Sequence, residues 1–211
     1  MAIRGIPMPR LTRAGLATAF TNVSLAAMFL LFAYAHLLSF SKNPRPSVVF
    51  IVVIETLLGI FLLVRNSADQ ASSSSWDWMT TIGGTFGPLF LRPIAASDDV
   101  AGGQVVQIIG LLLAIYGIAS LNRSFGLIPA HRGIKTTGLY RWVRHPLYSA
   151  YTVNHGGYLI SNFSAYNVAV VLMTLLLQIV RIFNEERFLA QYRAYTEYSD
   201  RTRWRLLPYV F

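Results

Sequence analysis

Residues 47–64 read SVVFIVVIETLLGIFLLV, eighteen positions with one charge, Glu55, near the centre. A helix of that length rises about 27 Å, close to the ~30 Å hydrocarbon core of a bilayer. The prolines and charges of Ser41-Lys42-Asn43-Pro44-Arg45-Pro46 cannot continue a helix in hydrocarbon, so they separate this block from the one before it. That earlier block runs from Leu16 to Phe40, and Val100 to Leu121 repeats the pattern. Pro146 to Ser161 and Ala165 to Phe183 form two further helices joined by a tight turn at Asn162-Phe163-Ser164. Trp78 to Ile94 is a broken candidate, interrupted by Gly83-Gly84 and Pro88, with Trp76 and Trp78 placed as interfacial anchors. The pattern predicts an all-α, polytopic membrane helix bundle of five to six transmembrane helices ending in a C-terminal helical hairpin.

Composition agrees. Over the 211 residues, hydrophobic side chains make up 54% and charged ones 13%, about half the ~25% of a soluble domain. The formal charge of +9 does not point to nucleic acid, because the basic residues sit between apolar blocks and in the tail rather than on one coherent face. Placed there, they suit contact with anionic membrane lipids. The absence of cysteine excludes a disulfide framework, a thiolate nucleophile and a Cys-ligated metal. At the N-terminus, Arg4, Arg10 and Arg13 precede an apolar stretch from Ala14 to Phe40, and Ala33-Tyr34-Ala35 looks like a signal-peptidase site. The stretch is far longer than the roughly 7–15 residues of a signal peptide's apolar region, so an uncleaved first helix is expected.

Six crossings divide the Lys and Arg residues fifteen against three. The larger set falls in residues 1–15, at Arg65, in 122–145 and in 181–205; the smaller is Lys42, Arg45 and Arg92. The positive-inside tendency then puts both termini and the 122–145 loop in the cytoplasm.

Chemistry concentrates in the last third. In Gly138-Leu139-Tyr140-Arg141-Trp142-Val143-Arg144-His145-Pro146-Leu147-Tyr148 a basic loop enters a helix. Pro146 suits the first helical position. His145 then stands at a helix mouth whose free N–H groups and positive dipole end attract carboxylate or phosphate. The bland alternative is a helix start with a snorkelling Arg144 and interfacial aromatics. On the final long helix, Thr174, Gln178, Arg181 and Glu185 are spaced four, three and four apart, so they share one face. A polar stripe in an otherwise apolar helix should face protein or a water-filled cavity. The competing reading is an Arg181–Glu185 pair that solvates a helix end. Glu186 points off that face and has the same solvating reading. Glu55, deep in its span, needs a proton, a partner or a cavity, with His36, Asn154 and His155 as candidate partners.

No phosphate-cradling G-x-x-x-x-G-K-[ST], no G-x-G-x-x-G turn and no G-x-S-x-G elbow occur. The four histidines have no metal-ligand spacing.

From Leu121 to Phe211 the sequence resembles the isoprenylcysteine carboxyl methyltransferases, integral membrane enzymes similar to the phospholipid N-methyltransferases. The resemblance rests on Asn122-Arg123-Ser124-Phe125-Gly126, Thr137-Gly138-Leu139-Tyr140 and Arg144-His145-Pro146-Leu147-Tyr148. It continues after the hairpin with Arg181, Glu185-Glu186, Leu189, Tyr192, Tyr195 and Pro208. It implies S-adenosylmethionine as methyl donor, bound in a cytoplasmic pocket formed by residues 122–211, with residues 1–121 supplying helices on the acceptor side. It further implies that Tyr140, His145, Pro146, Leu147 and Tyr148 line the donor site with Arg132, Gly133, Ile134 and Lys135. Glu185 would hold the donor's ammonium, and Arg181 would meet a lipid-like or prenylated acceptor. Lys135 stands where the family usually has an apolar residue, and Ala150 where glycine is common. Membrane sterol reductases that use NADPH have a similar C-terminal hairpin and supply a rival reading. A non-enzymatic lipid-binding role is the third. Acceptor identity and oligomeric state have no signature in the sequence.

Overall fold

The computed structural model describes residues 13–42, 44–94 and 101–211. Arg4, Arg10, Asn43 and Val100, on which parts of the charge pattern and span boundaries rest, lie outside the described residues. The chain forms α1 (Arg13–Lys42), α2 (Pro46–Val64), α3 (Ser75–Phe86), α4 (Ala101–Leu121), α5 (Pro146–Ser161), α6 (Ala165–Leu189) and α7 (Arg193–Arg201). Short 3-10 turns occupy Gly87–Phe90, Asn122–Ser124 and Gly138–Arg141. Among the described residues there is no strand, only an isolated bridge between Ala71 and Ala130.

Four of the helices, α1, α2, α4 and α6, are long and apolar enough to cross a bilayer. The other two candidates are shorter. The 16 residues of α5 rise about 24 Å and the 12 of α3 about 18 Å. Even so, the segment containing α3 runs the length of the bundle. At one end Ser72 N–H donates to Pro129 O (2.9 Å) and Thr81 Oγ1 donates to Leu127 O (3.3 Å). At the other, Arg92 and Ile94 are latched to the α5–α6 turn. Arg92 N–H donates to Asn167 Oδ1 and Ile94 N–H to Asn162 Oδ1, each at 3.0 Å. Asn167 completes the latch through Nδ2, which donates to Arg92 O (2.9 Å) and Asn162 O (2.8 Å). Among the described residues the chain thus makes six passes along the bundle, the third as a broken helix. The helix runs unbroken through Gly83 and Gly84, which the sequence reads as an interruption, and gives way to the 3-10 turn only at Gly87-Pro88. Gly83 and Gly84 lie against Leu177 and Arg181 of α6, and Gly87 against Thr174, where side chains would hold α6 away.

The core joins Ala26 and Phe29 of α1, Leu58 and Leu62 of α2, Leu111, Ala114 and Ile118 of α4, and Leu147 and Ala150 of α5. Many large apolar residues point outward instead, among them Phe20, Leu31, Leu112, Leu172 and Leu176. On a water-soluble protein such a surface would be an aggregation hazard; on these helices it is the lipid-facing side of an integral membrane protein.

The most extensive helix pairing among the described residues is α4 against α5. Gly103, Gly110 and Gly117 recur every seven residues along α4, and all three are buried. They let the backbones approach, the device by which membrane helices gain van der Waals contact when lipid offers no hydrophobic drive between them. A Cβ at Gly110 would lie 2.5 Å from the Asn154 amide nitrogen and 2.9 Å from Ala150 O, both rigid backbone. Gly110→Ala should therefore destabilise by about 1–3 kcal/mol. Gly102→Ala, one residue before Gly103 of the same seam but with nothing within 4 Å of the new methyl, should leave the thermal midpoint in detergent unchanged or raise it. Equal shifts in the two variants would show that the seam is not close-packed.

Candidate functional site

Residues 122–145 fold back over the end of the bundle where α2 and α4 finish and α5 begins. The loop after α2 fastens them: Asn66 N–H donates to Arg123 O (2.7 Å), Asp69 N–H to His131 O (3.0 Å) and His131 N–H to Gln70 O (2.9 Å). Arg65 reaches Asn22 of α1. Within this loop Gly133 (φ 91°) and Gly138 (φ 63°) take left-handed backbone conformations that L side chains rarely adopt. They turn the chain so that Tyr140 is buried, its carbonyl accepting from the Tyr198 hydroxyl of α7 at 2.6 Å.

His145 is the N-cap residue of α5, and Pro146 occupies the first helical position as its fixed φ favours. The helix mouth is not the open anion site that its sequence predicts. The C-terminal tail lies across it: Arg144 N–H donates to Trp204 O and His145 N–H to Arg205 O, both at 2.8 Å. Ser149 Oγ donates to Leu206 O at 2.6 Å, and Tyr148 N–H turns back to His145 O. Backbone carbonyls from the tail thus take donors that an anion would otherwise use.

Beneath this strap sits a carboxylate that periodicity reads as a surface group. Glu186 Oε1 lies 3.2 Å from His145 Nε2, and its Oε2 accepts from Arg205 Nε at 2.9 Å. Arg144 Nε is 3.2 Å from Oε1, an ion pair without hydrogen-bond alignment. One carboxylate therefore joins the start of α5, the end of α6 and the tail. On the other edge of the His145 ring, Nδ1 is 4.0 Å from Glu185 Oε2, so the imidazole stands between two acids.

Arg181 does not pair with Glu185. Its Nη1 donates to Thr85 Oγ1 (3.2 Å) and its Nη2 to Leu127 O (3.0 Å), and the guanidinium lies 5.3 Å from the Tyr148 ring centre. The i,i+4 pair that would solvate a helix end is absent among the described residues.

Two cavities meet at this end. The larger, about 260 Å³, extends into the bundle and is walled by Phe29, Ile54, Leu58, Leu111 and Ala114, with Arg181, Tyr148 and Leu147 nearer the mouth. The smaller, about 70 Å³, is lined by Gly133, Ile134, Lys135, Tyr195 and Tyr198. Tyr140, Arg144, His145 and Glu185 line both. Of the residues that the resemblance assigns to the donor and acceptor sites, two line neither cavity. Pro146 is buried as a helix start. Arg132 packs its guanidinium against Gly126 while its carbonyl accepts from Ser124 Oγ at 2.9 Å. Burial, and secondly the charge of Arg65, lowers the Arg132 pKa to about 10, so it stays cationic at neutral pH. Tyr195 and Tyr198 titrate above the usual tyrosine range, chiefly through burial. Both are neutral donors near pH 7, and the Tyr195 hydroxyl has no hydrogen-bond partner among the described residues.

Sequence reasoning leaves Glu55 with three candidate partners; the structure selects His36, whose Nδ1 is 2.9 Å from Glu55 Oε2. It does not find the hub role of Glu186 or the contribution of Arg205. Their link spans 19 positions of chain, and no periodic signal connects them.

No curated protein matches the sequence. A family model does: residues 99–196 match phospholipid methyltransferase. That segment runs from the start of α4 into α7 and contains most of the residues where the cavities meet. Over those residues the chain is similar to the phospholipid methyltransferases, integral membrane methyltransferases related to the isoprenylcysteine carboxyl methyltransferases.

Proposed function

We propose that this protein is an S-adenosylmethionine-dependent methyltransferase whose site faces the cytoplasm and whose acceptor is a hydrophobic, lipid-like molecule. The observation that carries the reading is the junction of a small cavity of mixed lining with a larger, mainly apolar one at Tyr140, Arg144, His145 and Glu185. A donor with carboxylate, ammonium and sulfonium groups and an apolar part suits the smaller one. Glu185 would hold the ammonium, Lys135 would face the carboxylate, and the unpartnered Tyr195 hydroxyl offers a further donor. When bound, S-adenosylmethionine supplies an electrophilic methyl group.

The protein's own part is alignment and exclusion of water. The Glu186 clamp holds His145 and the first turn of α5 in place, so the walls of the junction are set before anything binds. Arg181 has three of its five N–H groups left after Thr85 and Leu127 are served. It can orient an acceptor carboxylate with a planar fork, which makes carboxyl O-methylation of isoprenylcysteine type the finer form of the proposal. The apolar wall supplied by α1, α2 and α4 shields the site from water and strengthens such charge-assisted contacts. The scarcity of cations in these two compartments also favours methyl transfer over the NADPH-dependent alternative, which would ask for a richer phosphate pocket.

Calorimetry on purified protein should show binding of S-adenosylhomocysteine and not of NADPH. Glu185→Ala should weaken that binding roughly ten- to a hundredfold, the cost of about 1.5–3 kcal/mol for one charge-assisted contact. Wild-type affinity in a folded Glu185→Ala protein places the donor elsewhere. Arg181→Lys keeps the charge and loses the fork, so it should retain S-adenosylhomocysteine binding while losing most turnover of a carboxylate acceptor. Loss of both properties together would make Arg181 a structural residue. For orientation, the cysteine-free chain allows a single cysteine at position 135: it should resist an impermeant thiol reagent in intact cells and react after lysis. Labelling in intact cells would reverse the topology.

A further inference from the structure

The larger cavity has a polar floor that the methyl-transfer end does not use. Gln178 and His155 both line it and are 3% and 6% exposed. Gln178 Oε1 and His155 Nδ1 have no hydrogen-bond partner among the described residues. A buried polar atom left unpaired costs free energy comparable to a lost hydrogen bond or more, and in a membrane bundle no lipid chain repays it. Other polar groups at this depth are engaged: Asn154 Nδ2 contacts Gln107 O at 3.4 Å and Glu55 is paired with His36. Two residues that each carry an unpaired polar atom thus line the same cavity, one from α5 and one from α6.

We propose that Gln178 and His155 form a second recognition point in this cavity, which takes a neutral hydroxyl carried on the apolar body of the ligand. Three observations select that chemistry. The acid at this level is Glu55, already engaged by His36, and the arginines lining the cavity, Arg144 and Arg181, stand toward its mouth, so a carboxylate or phosphate on the floor would lie beside an acid and away from both arginines. The free amide oxygen calls for a donor. A hydroxyl both donates and accepts, so it satisfies the amide and the imidazole in either tautomer. Gln178 and Glu185 are seven residues apart on α6, about 10 Å along the helix. The ligand is therefore an amphiphile with two polar points about that far apart, and an unfunctionalised alkyl chain is disfavoured. That this ligand is the methyl acceptor rests on the methyltransferase reading; the subsite itself does not.

The test compares octane-1,8-diol with octan-1-ol as probes for the full-length protein in lipid nanodiscs. Calorimetry is run without S-adenosylhomocysteine, and partition into empty nanodiscs is subtracted. The diol should bind about three- to tenfold more tightly, the worth of one added uncharged hydrogen bond. Gln178→Leu and His155→Leu should each reduce that preference to within twofold while the mono-alcohol binds as before. Gln178→Met is the shape-matched second variant if leucine does not fold. Because it removes an unpaired buried amide, Gln178→Leu should also keep or raise the thermal midpoint, whereas a merely structural glutamine would lower it. Equal affinity of the two alcohols for the wild type, as a water-filled cavity would give, overturns the proposal. So does a preference that survives in both variants. A separate titration with S-adenosylhomocysteine reports on the methyltransferase reading: its failure beside an intact diol preference removes the donor and leaves the subsite.

Discussion

A single half-buried carboxylate organises the polar end of this molecule. Glu186 is reached by Arg144, His145 and Arg205, which come from the loop before α5, the cap of α5 and the tail. Its side chain is 12% exposed and that of Arg144 11%. Pairs so far from water gain little over an apolar replacement, yet removing one partner commonly costs about 3–5 kcal/mol because a charge is left uncompensated. The cluster is therefore better understood as a specificity device than as a source of stability. It forces three segments to one point and so fixes where the His145 ring stands. The tail's carbonyls, held at the α5 mouth by the same clamp, decide which helix-end donors remain for a ligand.

Below that end, different physics takes over. Lipid chains are as apolar as leucine, so burying leucine between helices gains little there, and close backbone approach supplies much of the attraction. The glycine seam of α4 against α5 and the glycines of the third pass against α6 both serve this purpose. The second of these also has a consequence for the cavity. By drawing the third pass onto α6, Gly84 lets Arg181 run alongside it to Thr85 and Leu127. The guanidinium is thus held by uncharged acceptors and keeps its full charge for the cavity.

How much of this could be read from sequence follows from the range of each interaction. The helices were legible because an apolar block of spanning length has few alternatives in water or lipid. The stripe of Thr174, Gln178, Arg181 and Glu185 was legible because helical spacing is local. Its use was not: Thr174 turns out to pack on Gly87, while Arg181 ignores Glu185 for partners 96 and 54 positions away. The role of Glu186 was hidden for the same reason, since its partners are set by how the tail returns. The α5 mouth was misread because a sequence shows which amides a helix start leaves free but not which distant carbonyls arrive to take them.

The two halves of the cavity also differ in origin. The match to the phospholipid methyltransferase model begins at residue 99, yet Phe29, Ile51, Ile54, Glu55 and Leu58, all from α1 and α2, wall the larger cavity. Groups that can hold charge at its mouth lie in the matched segment; much of the shape, and the Glu55–His36 pair, lie before it. A helix pair of this kind can change its apolar contour without disturbing Glu186, His145 or Glu185, since it makes none of their contacts. Discrimination among hydrophobic ligands needs only such changes, because a misplaced methylene is worth about 1–3 kcal/mol in a close-fitting apolar pocket. The arrangement therefore separates the part of the chain that fixes polar groups from the part that shapes what reaches them.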